Sequence, residues 1–121
     1  GYFYPQGSYS EKNWGKHGAL TNPFAFGFFP AMKMEGDPRR FAQAFLIYEG
    51  GLFPPQYEGT IFAPNSLHNL VWNSQRLRDG STYQTKDDEN ALVSSDRWFR
   101  PVYNGVGPDG AIYIADWYDT R

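Results

Sequence analysis

Apolar and polar residues alternate along this chain in short runs, not in helical periods. Gln43-Ala44-Phe45-Leu46-Ile47-Tyr48 reads as a strand ended by Glu49-Gly50-Gly51, and Pro54-Pro55 then forces an extended connection. Gly59 to Ala63 reads as a second strand, and Leu70-Val71-Trp72 opens a third that alternates as far as Leu77. Asp79-Gly80 is a hairpin signal, so Thr82 to Thr85 follows as a fourth, outer strand. Further on, Phe99 to Val106 and Ala111 to Trp117 flank Gly107-Pro108-Asp109-Gly110. In that turn Pro108 pre-sets φ at the first central position, Asp109 tolerates the second, and Gly110 supplies the positive φ that a following bulge requires. A loop fits Lys86 to Asp96 better than a short helix carrying Asp87-Asp88-Glu89 in its first turn.

The second arm of the Gly107–Gly110 hairpin repeats an earlier segment. Gly59-Thr60-Ile61-Phe62-Ala63-Pro64-Asn65 lies over Gly110-Ala111-Ile112-Tyr113-Ile114-Ala115-Asp116, 51 residues on, with Gly on Gly, Ile on Ile, Phe on Tyr and Asn on Asp. A weak repeat of about 40–50 residues made only of strands marks the blades of a β-propeller. The expected fold is therefore all-β. Residues 41–95 form one four-stranded blade, residues 96–121 the first hairpin of the next, and residues 1–40 an irregular, aromatic-rich insertion packed on them. A propeller needs at least about four blades to close. The 121 residues hold little more than two, so the chain is read as part of a longer polypeptide; a small complete β domain is the alternative.

Composition sharpens this picture. Aromatic residues make up 19% of the chain, and 13 Gly and 9 Pro fit many short strands joined by tight turns. Aromatics serve equally as core and as the walls of carbohydrate or cofactor sites. Phe24, Phe26, Phe28 and Phe29 form a dense patch that is expected to be buried and ordered. A net charge of −2 with scattered Arg and Lys argues against a nucleic-acid partner. Cysteine is absent, which excludes disulfides and thiolate chemistry within this stretch. No apolar run approaches the roughly 18 residues of a membrane-spanning helix.

The candidate chemistry lies in two loops. Arg97 and Arg100 flank Trp98-Phe99 where the next inner strand begins. Arginine grips a planar carboxylate with two parallel hydrogen bonds, and an adjacent aromatic offers a stacking surface. The competing reading pairs each Arg with a surface carboxylate. His68, in Pro64-Asn65-Ser66-Leu67-His68-Asn69, is placed to act as a base or to donate to an anion at a pocket mouth; a solvated loop histidine is the alternative. His17 is a weaker candidate of the same kind. Asp116, with Asp119, is a candidate calcium ligand, or else a cap on the neighbouring turn. No phosphate-cradling glycine loop and no Gly-x-Ser-x-Gly elbow occurs.

The run Trp98-Phe99-Arg100-Pro101-Val102 through Gly107-Pro108-Asp109-Gly110-Ala111-Ile112-Tyr113-Ile114-Ala115-Asp116-Trp117-Tyr118-Asp119 resembles the PVC-type haem-binding, membrane-bound-dehydrogenase-domain propeller proteins. These are similar to the glucose/sorbosone dehydrogenase propellers. Tyr48-Glu49-Gly50-Gly51-Leu52-Phe53-Pro54 and Tyr57-Glu58-Gly59-Thr60-Ile61-Phe62 extend the likeness upstream, and His17-Gly18 and Asn22-Pro23-Phe24 resemble the family's irregular insertion. The resemblance implies a six-bladed propeller, exported to the periplasm or cell envelope, with a c-type haem domain elsewhere in the polypeptide. Soluble sugar dehydrogenases of this superfamily hold pyrroloquinoline quinone (PQQ), a flat tricarboxylate, with basic residues in two neighbouring loops. By position those loops correspond to Ser66-Leu67-His68-Asn69 and Asp96-Arg97-Trp98-Phe99-Arg100. The implied cofactor-binding residues are Arg100, Arg97, His68 and Asn69, with His68 standing where those enzymes place a Lys. PQQ and Ca²⁺ are the implied cofactors.

Two functions follow as expectations. One is a PQQ-type sugar or alcohol dehydrogenase that passes electrons to the c-type haem domain. The other is a non-catalytic propeller that binds a polysaccharide or a protein partner in the cell envelope. Both need the loop at 66–69 and the loop at 96–100 to stand side by side.

Overall fold

Alternation prevails over helical periodicity in the computed structural model, which describes residues 2–5, 25–29, 32–39 and 44–120. Among the described residues there are ten β-strands and one 3₁₀ turn at Pro55–Tyr57, and no α-helix. The fold is all-β.

The chain divides into two compact units, Gly1–Met32 and Lys33–Arg121. In the first, β1 (Tyr2–Pro5) pairs in parallel with β2 (Ala25–Phe29), with a shift of register after Tyr2. The expected irregular segment thus contains a strand pair. His17-Gly18 and Asn22-Pro23-Phe24 lie outside the described residues, as does much of the expected 1–40 insertion.

In the second unit a six-stranded sheet spanning residues 34–93 stands where a four-stranded blade of residues 41–95 is expected. Its strands are β3 (Met34–Glu35), β4 (Leu46–Ile47), β5 (Ile61–Asn65), β6 (Leu70–Asp79), β7 (Thr82–Asp87) and β8 (Leu92–Val93). The order is β3-β7-β6-β5-β4, and β4 to β7 run as a consecutive antiparallel meander. The sheet starts earlier in the chain than expected, because Met34 and Glu35 pair in parallel with Thr85 and Lys86 of β7. The Asp87 carboxylate secures that edge: it accepts from the Asp37 N–H at 2.9 Å and from the Ser74 hydroxyl at 2.7 Å.

Residues 86–96 form no helix. β7 continues to Asp87, and the chain then returns as β8 against Leu70 and Val71 of β6. β7 pairs only with residues 74–79 of β6, so β8 covers the backbone groups that β7 leaves open. This division explains the burial of β6, whose first five residues are buried while Arg76, Leu77 and Arg78 are exposed. Pro64 is tolerated inside β5 because β4 pairs only with Ile61 and Phe62 and has ended before the proline, which has no N–H to donate.

β9 (Pro101–Val106) and β10 (Ile112–Asp116) form the expected hairpin. Its turn closes with Gly110 N–H to the Gly107 carbonyl at 2.9 Å and Gly107 N–H to the Ala111 carbonyl at 2.8 Å. Gly110 has φ +84°, the left-handed value the turn requires. Ile112 and Ile114 lie on one face of β10 and pack against the core of the first sheet, formed by Tyr48, Phe62 and Val71 with Leu46, Phe53, Tyr57 and Leu92. Four aromatic residues meet here. The Tyr48 and Phe53 rings stack at 4.7 Å, and Phe62 meets Tyr48, Phe53 and Tyr57 at 5.9–6.2 Å. Buried Asn104 of β9 donates to the Phe62 carbonyl at 2.9 Å, tying the hairpin to β5.

The repeat seen in sequence has a structural counterpart. β5 and β10 each follow a glycine with positive φ, Gly59 at +75° and Gly110 at +84°. Each ends on a side-chain cap two residues ahead: Asn65 Oδ1 accepts from Leu67 N–H at 3.0 Å, and Asp116 Oδ1 from Tyr118 N–H at 2.9 Å. Their surroundings differ. β5 lies between β4 and β6, whereas β10 pairs with β9 alone among the described strands. Phe62 is accordingly 3% exposed and its counterpart Tyr113 59%.

Candidate functional site

The caps at Asn65 and Asp116 also build the site. Asn65 is fully buried, and its Oδ1 accepts from the backbone N–H groups of Leu67 and His68 while its Nδ2 donates to the Arg39 carbonyl at 3.3 Å. The chain reverses around it, and Asn69 takes φ +56°, a left-handed conformation that asparagine adopts more readily than most residues. From there the Asn69 carbonyl accepts from Ser94 N–H at 2.9 Å, and its side-chain amide donates to the carbonyls of Arg97 and Phe99. Residues 94–99 are therefore wrapped on Asn69.

The second loop is rigidified in the same manner. Asp96 Oδ1 accepts from Trp98 N–H at 2.9 Å, and the Asp96 carbonyl accepts from Phe99 N–H at 3.2 Å. A third segment is laced onto it. Asp116 Oδ1 accepts from Arg100 N–H at 2.7 Å, Trp117 N–H donates to the Arg100 carbonyl at 2.9 Å, and Asp119 N–H to the Trp98 carbonyl at 3.1 Å.

These three segments enclose a cleft of about 380 Å³ lined by Leu67, Asn69, Arg97, Trp98, Arg100 and Thr120. Neither guanidinium has a carboxylate partner among the described residues. The Arg100 Nε is buried and lacks an acceptor, and its Nη1 reaches only the Phe99 carbonyl at 3.4 Å. A buried N–H without an acceptor is costly, more so on a charged group. That Nε is closed to solvent, so a carboxylate entering the cleft would meet the remaining guanidinium N–H groups of Arg100 and Arg97, as charge-assisted donors. Trp98, 48% exposed, supplies an apolar part of the lining.

Of the four residues expected to bind a cofactor, Asn69, Arg97 and Arg100 meet in this cleft. His68 is half-buried and does not line it; its Nδ1 lies 3.2 Å from Asn65 Oδ1. His17 lies outside the described residues. Asp116 serves as the cap on Arg100 and Tyr118, and no three His, Asp or Glu side chains converge on a metal-sized site among the described residues. The cleft residues suit a flat carboxylate.

Sequence reasoning missed Tyr118. Its ring packs on Trp98 at 5.6 Å and 42°, its backbone has φ +50°, and its phenol titrates above the ordinary range because it is hydrogen-bonded to the Asp96 carboxylate. The cluster Trp117-Tyr118 was visible as aromatic excess; its left-handed turn carries no compositional signal.

Residues 29–120 match the model of a family described as a domain of unknown function, DUF7133. No curated protein and no solved structure matches the chain significantly.

Proposed function

This chain belongs to the DUF7133 family, and we propose that its six-stranded sheet and its β9–β10 hairpin belong to successive blades of a β-propeller whose cleft holds an acidic, planar ligand of the PQQ kind. In this reading Arg97 and Arg100 grip the ligand's carboxylates, Asn69 fixes the loops that carry them, and the indole of Trp98 covers one face of the ring. The observation that carries the reading is the meeting of Arg97 and Arg100 beside the Trp98 indole in one cleft, with neither guanidinium paired to a carboxylate among the described residues. The antiparallel meander β4–β7, followed by a hairpin packed on it, supports the blade assignment. The resemblance to membrane-bound-dehydrogenase-domain propellers supplies the wider setting: an exported sugar or alcohol dehydrogenase delivering electrons to a c-type haem domain. The quinone, when bound, supplies a hydride acceptor. The chain's own part is to bind it, orient it and stabilise negative charge with fixed cationic donors.

A second reading, a polysaccharide-binding propeller, is favoured by the exposed rings of Trp98, Trp117 and Tyr118. Titrating the chain with PQQ, with and without Ca²⁺, and with neutral and acidic oligosaccharides separates the two. The first reading expects PQQ to bind and Arg100→Ala to weaken that binding by about tenfold or more. Oligosaccharide binding that survives Arg100→Ala, with no uptake of PQQ, contradicts it.

A further inference from the structure

Two non-glycine residues among those described have positive φ, Asn69 at +56° and Tyr118 at +50°. Asn69 lines the cleft, and Tyr118 packs on Trp98, which also lines it. Asparagine visits this region at small cost, but tyrosine does so only when its surroundings impose it. Here they do. The Asp116 carboxylate holds the Tyr118 N–H, Trp117 and Asp119 on either side are bonded to the backbone of Arg100 and Trp98, and Asp96 takes the phenol. A strained tyrosine held by four neighbours, with its ring against a cleft wall and itself 56% exposed, is not required by any core. Strain of this kind persists where it positions something.

We propose that Tyr118 is a positioning residue that holds the Trp98 indole across the cleft, so that the site selects flat carboxylates over non-planar ones of equal charge. The inference rests on the anion-binding reading of the same cleft and adds a specificity to it. The guanidinium groups of Arg97 and Arg100 answer to charge and to carboxylate geometry, and do not sense whether the ligand's body is flat. The indole does, because stacking needs a face lying parallel to it. Left without Tyr118, Trp98 keeps its backbone bonds to Asp96 and Asp119 but loses the ring that sets its side-chain orientation.

The test uses two tricarboxylates, benzene-1,3,5-tricarboxylate as the flat probe and citrate as the non-planar one, titrated into the chain and followed by tryptophan fluorescence and by NMR. The wild type is expected to bind the flat probe more tightly. Stacking a ring on an aromatic side chain is worth enough that the preference should be about fivefold or more. Tyr118→Gly, which relieves the left-handed strain, should remove most of that preference by weakening the flat probe while leaving citrate within about twofold. Tyr118→Phe should restore the preference, because the ring and not the hydroxyl does the positioning. A merely structural loss would weaken both probes together. Equal binding of the two probes by the wild type, or a preference that survives Tyr118→Gly, overturns the proposal while leaving the anion site standing. Failure of both probes to bind overturns the anion-binding reading and the proposal with it.

Discussion

The Tyr48 hydroxyl donates to the carbonyl oxygen of Gly110 at 2.7 Å, linking residues 62 apart in the chain and joining the first sheet to the turn of the β9–β10 hairpin. The same oxygen accepts from the N–H groups of Leu52 and Phe53, both at 3.0 Å, and the Tyr48 side chain is fully buried. One phenol thus satisfies three backbone groups from two segments that would otherwise need water.

Tyr48→Phe keeps the ring stack on Phe53 and removes only these bonds. Leaving buried backbone groups unpaired costs about 1–3 kcal/mol. Urea denaturation should show a loss of that size, with increased amide exchange at Leu52 and Phe53. An unchanged midpoint would mean that the sheets are not held through this oxygen.

Gly110 and Gly80 both have positive φ, +84° and +62°, but only Gly110 is also closely packed. A Cβ at Gly110 would collide with the Gly50 carbonyl oxygen, whereas one at Gly80 meets nothing. Gly80→Ala should cost about 1–2 kcal/mol, the penalty of a left-handed alanine alone. Gly110→Ala should cost clearly more, because the turn must also move away from the first sheet. Equal losses in thermal or urea melts would contradict the close approach.

The Asp109 carboxyl is held below the ordinary carboxylate range, first by the Ala111 N–H and then by the Tyr113 hydroxyl, while bonding to Asp109 raises the Tyr113 phenol. Asp109 therefore stabilises the fold fully above its unfolded pKa and loses that contribution as pH falls through its lower folded value. Tyr113 has the opposite sense: its contribution is complete below the unfolded phenol pKa and is lost as pH rises through the raised one. The stability difference between wild type and Tyr113→Phe should be largest near neutral pH and shrink toward both extremes. A difference that does not vary with pH would exclude the link.

In the cleft, Arg100→Ala should weaken binding of a carboxylate ligand by about tenfold or more, the worth of a hydrogen bond to a charged group. Arg97, which is exposed, should matter less, because solvent competes for its donors. His68→Ala should leave affinity within about twofold, since its ring faces Asn65 and not the cleft. Isothermal titration of the three variants checks the order; a loss at His68 as large as that at Arg100 would reverse the assignment.

Much of this architecture is written in local patterns. Asp79-Gly80 and Gly107–Gly110 mark their turns through residue-specific φ preferences, and the Gly59/Gly110 repeat returns as two strands with matching glycines and matching caps. What stayed hidden depends on partners distant in sequence. Met34 and Glu35 become a strand only because β7 lies beside them, and β8 exists because β7 leaves β6 early. Arg97, Arg100 and Asn69 could be nominated from residue type and resemblance, but the orientation of His68 toward Asn65 is decided by the Asn65 turn. Tyr118 carries no local signal, because its left-handed backbone is imposed by Asp116 and its neighbours. The opposite use of aromatic residues, core at Tyr48, Phe53, Tyr57 and Phe62 but surface at Trp98 and Tyr118, is likewise a matter of what lies across from each.

A crystal structure of the chain soaked with PQQ tests the cleft most directly. The account predicts carboxylate oxygens against the guanidinium groups of Arg100 and Arg97, with the tricyclic ring parallel to the Trp98 indole. Density for the quinone on the opposite side of the hairpin, against Tyr103 and Tyr113, or no binding at saturating concentration, would contradict it.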